Sequence, residues 1–158
     1  MNQKSLAIRA ILFGGLVAGA LDAVDGVVAF GLKGFNPIQV LQYIASGLLG
    51  PASLQGGLPT AVLGLVLHFL IAFVAAGVYY FASLKVTALV CKAVPSGLLY
   101  GVAVYFVMNY IVLPLSAVLK LPFSLPLFLN GVIGHALFVG LPIAIVARRS
   151  RRGTECAS

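Results

Sequence analysis

Hydrophobic residues run along this chain in four long blocks separated by short connections that hold most of its polar residues and prolines. The blocks extend over residues 7–32, 59–82, 97–113 and 126–147. A helix rises about 1.5 Å per residue and a bilayer core is about 30 Å thick, so each block can cross as one helix. Their ends carry boundary signals. Lys33 closes the first, and Tyr79, Tyr80 and Phe81 followed by Lys85 suit a headgroup boundary after the second. Pro114 marks the end of the third, because proline lacks the N–H and biases the preceding residue out of helix. Ser124 and Pro126 open the fourth as N-cap and first-turn residues.

Two stretches between the blocks do not cross. Over residues 36–49, Asn36 and Pro37 form a helix start, and Gln39, Gln42, Tyr43 and Ser46 recur every three or four residues against Ile38, Leu41, Ile44 and Leu48. That pattern predicts an amphipathic helix lying in the interface or re-entering the membrane. Residues 85–96 read as a loop or short surface helix. Gly50 to Gly57, with Pro51, Ser53 and Gln55, reads as a flexible connector, with gating of the outer mouth as its functional reading.

Composition agrees with the pattern. Of 158 residues, 61% are hydrophobic and 8% charged, where a soluble domain is roughly half apolar and about a quarter charged. This excludes a soluble enzyme, a disordered tail and a secreted disulfide scaffold. The expected fold is all-α: one polytopic membrane domain of four transmembrane helices, arranged as two helical hairpins, plus one interfacial or re-entrant helix.

Charge sets the expected direction. Of ten Lys and Arg, eight fall on one side: Lys4, Arg9, Lys85, Lys92, Arg148, Arg149, Arg151 and Arg152. Lys33 and Lys120 fall on the other, so the positive-inside rule places both termini in the cytoplasm. The basic tail over residues 148–158 is expected to hold anionic lipid headgroups through its four arginines, not nucleic acid. Cys91 and Cys156 share that side, where thiols stay reduced, so no disulfide is expected. Lys4, Arg9 and the run from Ile11 to Ala20 also resemble a cleaved signal peptide. The apolar continuation to Leu32 and the even number of crossings favour a retained helix.

A weak internal repeat joins the halves. Pro59, Gly64, His68 and Leu70 recur 67 residues later as Pro126, Gly131, His135 and Leu137. Gly15, Leu16 and Gly19 recur 82 residues later as Gly97, Leu98 and Gly101, which leaves a 15-residue insertion in the first hairpin, about the length of the interfacial helix. The pattern describes two hairpins inserted in the same direction.

Helical rise places Asp22, Asp25, His68, Asn109 and His135 at similar depth, about 17–22 Å from the cytoplasmic edge. Ionisable groups at such depth are costly and usually face a bundle interior, so this layer is the candidate site. Gly15, Gly19, Asp22 and Gly26 share one stripe of α-helical spacing. Gly64 shares a stripe with His68, Gly131 with His135, and Gly97 with Gly101, and all read as helix-packing glycines. Asn109 sits about 120° off its stripe.

Two carboxylates three residues apart do not both stay charged cheaply in low dielectric, and histidine titrates near neutrality. The layer therefore suits a proton relay, a small-solute pathway, or a divalent cation held by His68, His135 and Asp22. A second reading is structural: Asp22 pairs with a histidine, Asn109 bonds a backbone carbonyl, and the layer fixes helix register in a non-catalytic membrane protein. A third is electron transfer, with His68 and His135 as axial ligands of a b-type haem given room by Gly64 and Gly131. An enzyme acting on a lipid or quinone is the remaining class, although soluble-enzyme motifs are missing. The leading expectation is a transporter or channel-like protein that is not an enzyme, carries no cofactor and self-associates.

The segments LHFLIAFVAAGVYY around His68, GLLYGVAVYFVMNYIVLPL (residues 97–115) and GHALFVGLPIAIVARR (residues 134–149) resemble the YagU-like bacterial inner-membrane proteins, over about two thirds of the chain. The resemblance implies a small multi-pass protein of the bacterial cytoplasmic membrane, with His68 and His135 as family positions; the alternative to transport is a non-catalytic structural or stress-related membrane protein. The chain departs from the family pattern at Asn109, where members carry histidine, and at Asp22 and Asp25, which have no acidic counterpart.

Overall fold

The structure, a computed structural model, describes residues 3–151, and no strand occurs among them. In chain order the helices are α1 (Gln3–Gly31), α2 (Pro37–Leu49), α3 (Gly57–Lys85), the single turn α4 (Ala88–Cys91), α5 (Ala93–Leu115) and α6 (Leu125–Ser150). Of these, α1, α3, α5 and α6 are long and apolar enough to cross a membrane, which establishes an all-α polytopic protein. Each overruns its hydrophobic block, because a helix satisfies its own backbone groups and has no reason to stop where the apolar run does. At the start of α2, the Asn36 side chain accepts from the Gln39 N–H at 2.9 Å and the Gln39 side chain accepts from the Asn36 N–H at 2.9 Å. This reciprocal cap fixes where the helix begins. Ser124 occupies the N-cap of α6, but its side chain makes no capping bond.

The bundle is small inside and large outside. Ala18, Ala45 and Ala144 are fully buried, whereas Phe13, Val24, Val66 and Leu99 are exposed. Hydrocarbon chains solvate leucine and phenylalanine as well as a core does, so helix association rests on close backbone approach instead. A Cβ on Gly19 would lie 2.8 Å from the Phe69 ring and 3.2 Å from the Ala72 Cβ. On Gly101, at the equivalent place in the second half, it would lie 2.6 Å from the Ala136 Cα and collide with the His135 carbonyl. Gly15 meets Phe73 and Gly97 meets Gly140 in the same way. Each pair in the first hairpin maps onto its counterpart in the second at the offsets of 82 and 67, so the repeat is a repeat of crossing geometry. Gly26 is the exception: nothing lies within 4 Å of its Cβ position, and it lines a cavity instead of a helix contact.

Packing orders the crossings α3, α1, α6, α5, with α1 and α6 in contact at the middle. At one end α3 and α5 are tied together: the Tyr100 hydroxyl donates to the Ala75 carbonyl at 2.7 Å, and the Tyr79 and Tyr100 rings sit 4.9 Å apart. At the other end α2 lies against α3, its Leu41 carbonyl filling the space beside Gly64. A polar clasp holds it there. Gln42 Nε2 donates to the Gly57 carbonyl at 2.9 Å, Ser53 Oγ to the Gln42 carbonyl at 2.9 Å, and Thr60 Oγ1 to the Ser53 carbonyl at 2.8 Å. Gly50–Gln55 is therefore an anchored 3-10 turn and not a flexible connector. The Ala117 N–H donates to the Gly47 carbonyl at 3.0 Å and adds the α5–α6 connection to the same cap.

Two further expectations change. Pro114 does not end the third crossing. The helix widens into a π turn over Met108–Val112 and continues to Leu115. A matching π turn, His135–Gly140, precedes Pro142 in α6. The N–H groups of Leu113 and Leu141, each directly before a proline, donate to the carbonyls five residues back, Met108 and Ala136. Widening absorbs the ring and the missing donor without breaking the helix. Cys91 is disulfide-bonded, where its place on the basic side predicts a reduced thiol. Arg152 and Cys156 lie outside the described residues.

Gly101→Ala should lower stability by about 1–3 kcal/mol, because the added methyl meets backbone that cannot yield. Gly26→Ala should match or exceed wild type, by up to about 1 kcal/mol from helix propensity. Thermal unfolding of the two variants in the same detergent checks both.

Candidate functional site: a polar cavity between α3 and α5

The cap formed by α2 and the tie at Tyr100 close a space that α3 and α5 leave between them. A cavity of about 330 Å³ occupies it and adjoins one of about 620 Å³ bounded by α1, α2, α5 and α6, with Asp22, Tyr43, His68, Met108 and His135 among the residues on both walls. The larger one also reaches Asp25, Asn109 and Asn130. All five polar residues that helical rise puts at one depth thus line one cavity, contributed by α1, α3, α5 and α6.

His68 is anchored. Its Nε2 lies 2.8 Å from the Gly19 carbonyl oxygen. A carbonyl can only accept, so that nitrogen carries the proton, and in the neutral ring Nδ1 is left as an acceptor. The contact depends on Gly19, whose missing side chain lets α3 approach the α1 backbone. His135 begins the π turn of α6 and sits beside Tyr105, ring centroids 5.4 Å apart and nearly perpendicular. Its Nδ1 is buried and has no hydrogen-bond partner; the nearest carboxylate oxygen, Asp22 Oδ1, is 3.7 Å away. That separation permits ion pairing but exceeds a hydrogen bond. An unpaired buried nitrogen costs about 1–3 kcal/mol, which a shared proton or a bound polar group would remove.

Asp25 Oδ2 accepts from Asn130 Nδ2 at 2.8 Å. Its other oxygen has no protein donor among the described residues, and the Asp25 carboxylate occupies the space beside Gly134. Asn130 is absent from the sequence-derived set. The signal was present as an amide inside the apolar block, one residue before Gly131. Asn109 Nδ2 donates to the Tyr105 carbonyl at 2.9 Å, within its own helix. It lies on the cavity wall, in the π turn Met108–Val112, although it sits off the stripe of Gly97 and Gly101. On α2, burial pushes the Tyr43 hydroxyl above its ordinary pKa, so it stays a neutral donor facing the cavity.

The remaining expected roles divide. Among the described residues no three His, Cys, Asp or Glu side chains converge to hold a metal ion, so His68, His135 and Asp22 share a wall without forming a ligand set. The room for a porphyrin at Gly64 and Gly131 is occupied, by the Leu41 carbonyl and by the Tyr105 ring. In the basic tail Arg148 and Arg149 are exposed, whereas the Arg151 guanidinium donates to the Ser83 carbonyl in the last turn of α3. That contact caps a helix C-terminus, where the dipole favours a cation, and takes Arg151 away from the headgroup role.

His68→Gln, which can donate to the Gly19 carbonyl, should stay within about 0.5 kcal/mol of wild type, whereas His68→Phe should lose about 1 kcal/mol. Thermal unfolding of the pair separates the bond from the ring. No protein-family model, no curated protein and no solved structure matches the chain.

Proposed function

We propose that this protein is a small membrane transporter or channel-like protein that handles a proton together with a small solute in the cavity between α3 and α5. The observation that carries the reading is the His135 Nδ1, a buried nitrogen with no partner, 3.7 Å from Asp22 across a cavity wall shared with His68. A small closure of that gap would bring imidazole and carboxylate within hydrogen-bond distance, where a proton can pass directly between them. The walls are mostly apolar with a few polar groups that converge, as in sites that orient small molecules. The chemistry proposed is binding and proton movement, with no bond made or broken in the solute and no cofactor required.

The same reading places the protein in a bacterial cytoplasmic membrane with both termini inside, supported by the eight-to-two division of Lys and Arg. It has the exposed Arg148 and Arg149 on anionic lipid and a second copy as partner. The likeness of the His68, Gly97 and Gly134 segments to YagU-like proteins supports membership of that family. A structural role is the second reading, favoured by the bonds of His68 to Gly19 and of Asn109 to Tyr105, which fasten helices and need no solute.

Proteoliposomes loaded with a pH-sensitive dye test the proposal. Wild type should acidify under an imposed gradient, and Asp22→Asn and His135→Gln should each slow this at least about tenfold, a floor below the roughly 100-fold or more that a positioned proton-transfer group contributes. Both variants should elute as wild type does. Wild-type flux no greater than that of empty vesicles would leave the structural role standing.

A further inference from the structure

The larger cavity has features that the proton reading does not use. Its wall carries two carboxylates, Asp22 and Asp25, and only one Lys or Arg, the exposed Lys120. Carboxylates in low dielectric demand a compensating positive charge; Asp22 has His135 at 3.7 Å, but among the described residues no Lys, Arg or His lies within ion-pair distance of Asp25. Asn130 holds one oxygen of Asp25 and leaves the other to the cavity.

Aromatic rings stand on two sides of this space. Phe30 and Tyr43 pack 5.6 Å apart, one from α1 and one from α2. Tyr105 and Phe128 pack 5.8 Å apart and nearly perpendicular, from α5 and α6. All four rings line the cavity. The negative face of an aromatic ring attracts a cation, and most strongly one that gives up its water readily. Small inorganic cations need several ligands at fixed distances, and among the described residues no three His, Cys, Asp or Glu side chains converge to hold one. A weakly hydrated organic ammonium needs one carboxylate and some rings. The volume of about 620 Å³ lies within the range of small-molecule sites, and most of the wall is apolar.

We infer that this cavity binds a lipophilic organic cation, a quaternary or protonated amine bearing an apolar group, with its charge on Asp25 and its body between the Phe30–Tyr43 and Tyr105–Phe128 pairs. The inference rests on the proposed solute-handling role only in naming the class of solute. Binding itself stands apart from proton movement. The site is built from all four crossings and α2, so it exists only in the folded bundle.

Equilibrium dialysis of radiolabelled benzyltrimethylammonium against the protein in lipid nanodiscs, with empty nanodiscs as reference, tests it. Wild type should show saturable binding above the empty discs. Unlabelled tetraethylammonium should displace the label, and neopentylbenzene, the uncharged carbon isostere, should not. Asp25→Asn should weaken binding at least about tenfold, the effect of losing one desolvated charge partner. No saturable binding, displacement by the uncharged isostere as effective as by the cation, or unchanged affinity in a folded Asp25→Asn would each overturn the inference. The isostere comparison uses wild type alone and decides the matter if the variant does not fold. Cation binding without proton flux would remove the transport reading and keep this site. Flux that depends on His135 without cation binding would do the reverse.

Discussion

The architecture depends on glycines whose missing side chain lets a neighbouring helix lie directly on their backbone. Gly19 on α1 admits Phe69 and Ala72 of α3, and Gly101 on α5 admits the backbone of α6 at His135 and Ala136. In a hydrocarbon solvent large apolar side chains gain nothing by facing inward, so these close crossings, with the alanines around them, supply the specificity of association. They also position the chemistry. His68 reaches the Gly19 carbonyl because α3 lies that near, and His135 sits at the turn whose backbone faces Gly101. The glycines that build the hairpins and the histidines that line the cavity are parts of one arrangement, present twice.

The cavity follows from the order of the helices. With α1 and α6 in the middle, α3 and α5 stand on the outside of their hairpins and meet through Tyr100 at one end. Toward the other end α2 enters, clasped to α3 through Gln42, Ser53 and Thr60 and to the α5–α6 connection through Gly47. A polar space within a membrane bundle needs a lid that satisfies its own backbone, and a capped amphipathic helix does that. The inserted segment that breaks the repeat is the part that closes the site.

Two prolines refine the walls. Pro114 and Pro142 each follow a π turn, and those turns hold Asn109 and His135. Asn109 lines the cavity wall, and His135 has a buried nitrogen with no hydrogen-bond partner. π turns are frequent where a helix carries function, and here one of them begins at the only buried unpartnered side-chain nitrogen or oxygen among the described residues.

The residue pattern alone determined the solvent, the four crossings, the amphipathic α2 with its Asn36 start, and the common depth of Asp22, Asp25, His68, Asn109 and His135. Hydropathy and helical rise are one-dimensional properties, and a membrane converts position along the chain into depth. What needed three dimensions was everything that depends on a neighbour. Gly26 lies on the same stripe as Gly19, yet only one of them meets another helix. Asn130 became visible through Asp25, and Arg151 through the end of α3. The 50–57 connector gained its rigidity from side chains of α2 and α3. Pro114 looked like a terminus because its missing donor is a local fact, while the widened turn that accommodates it is held by the packed helix around it. Depth is written in the order of residues; azimuth, contact and register are decided only when helices pack, because each depends on atoms far away in the chain.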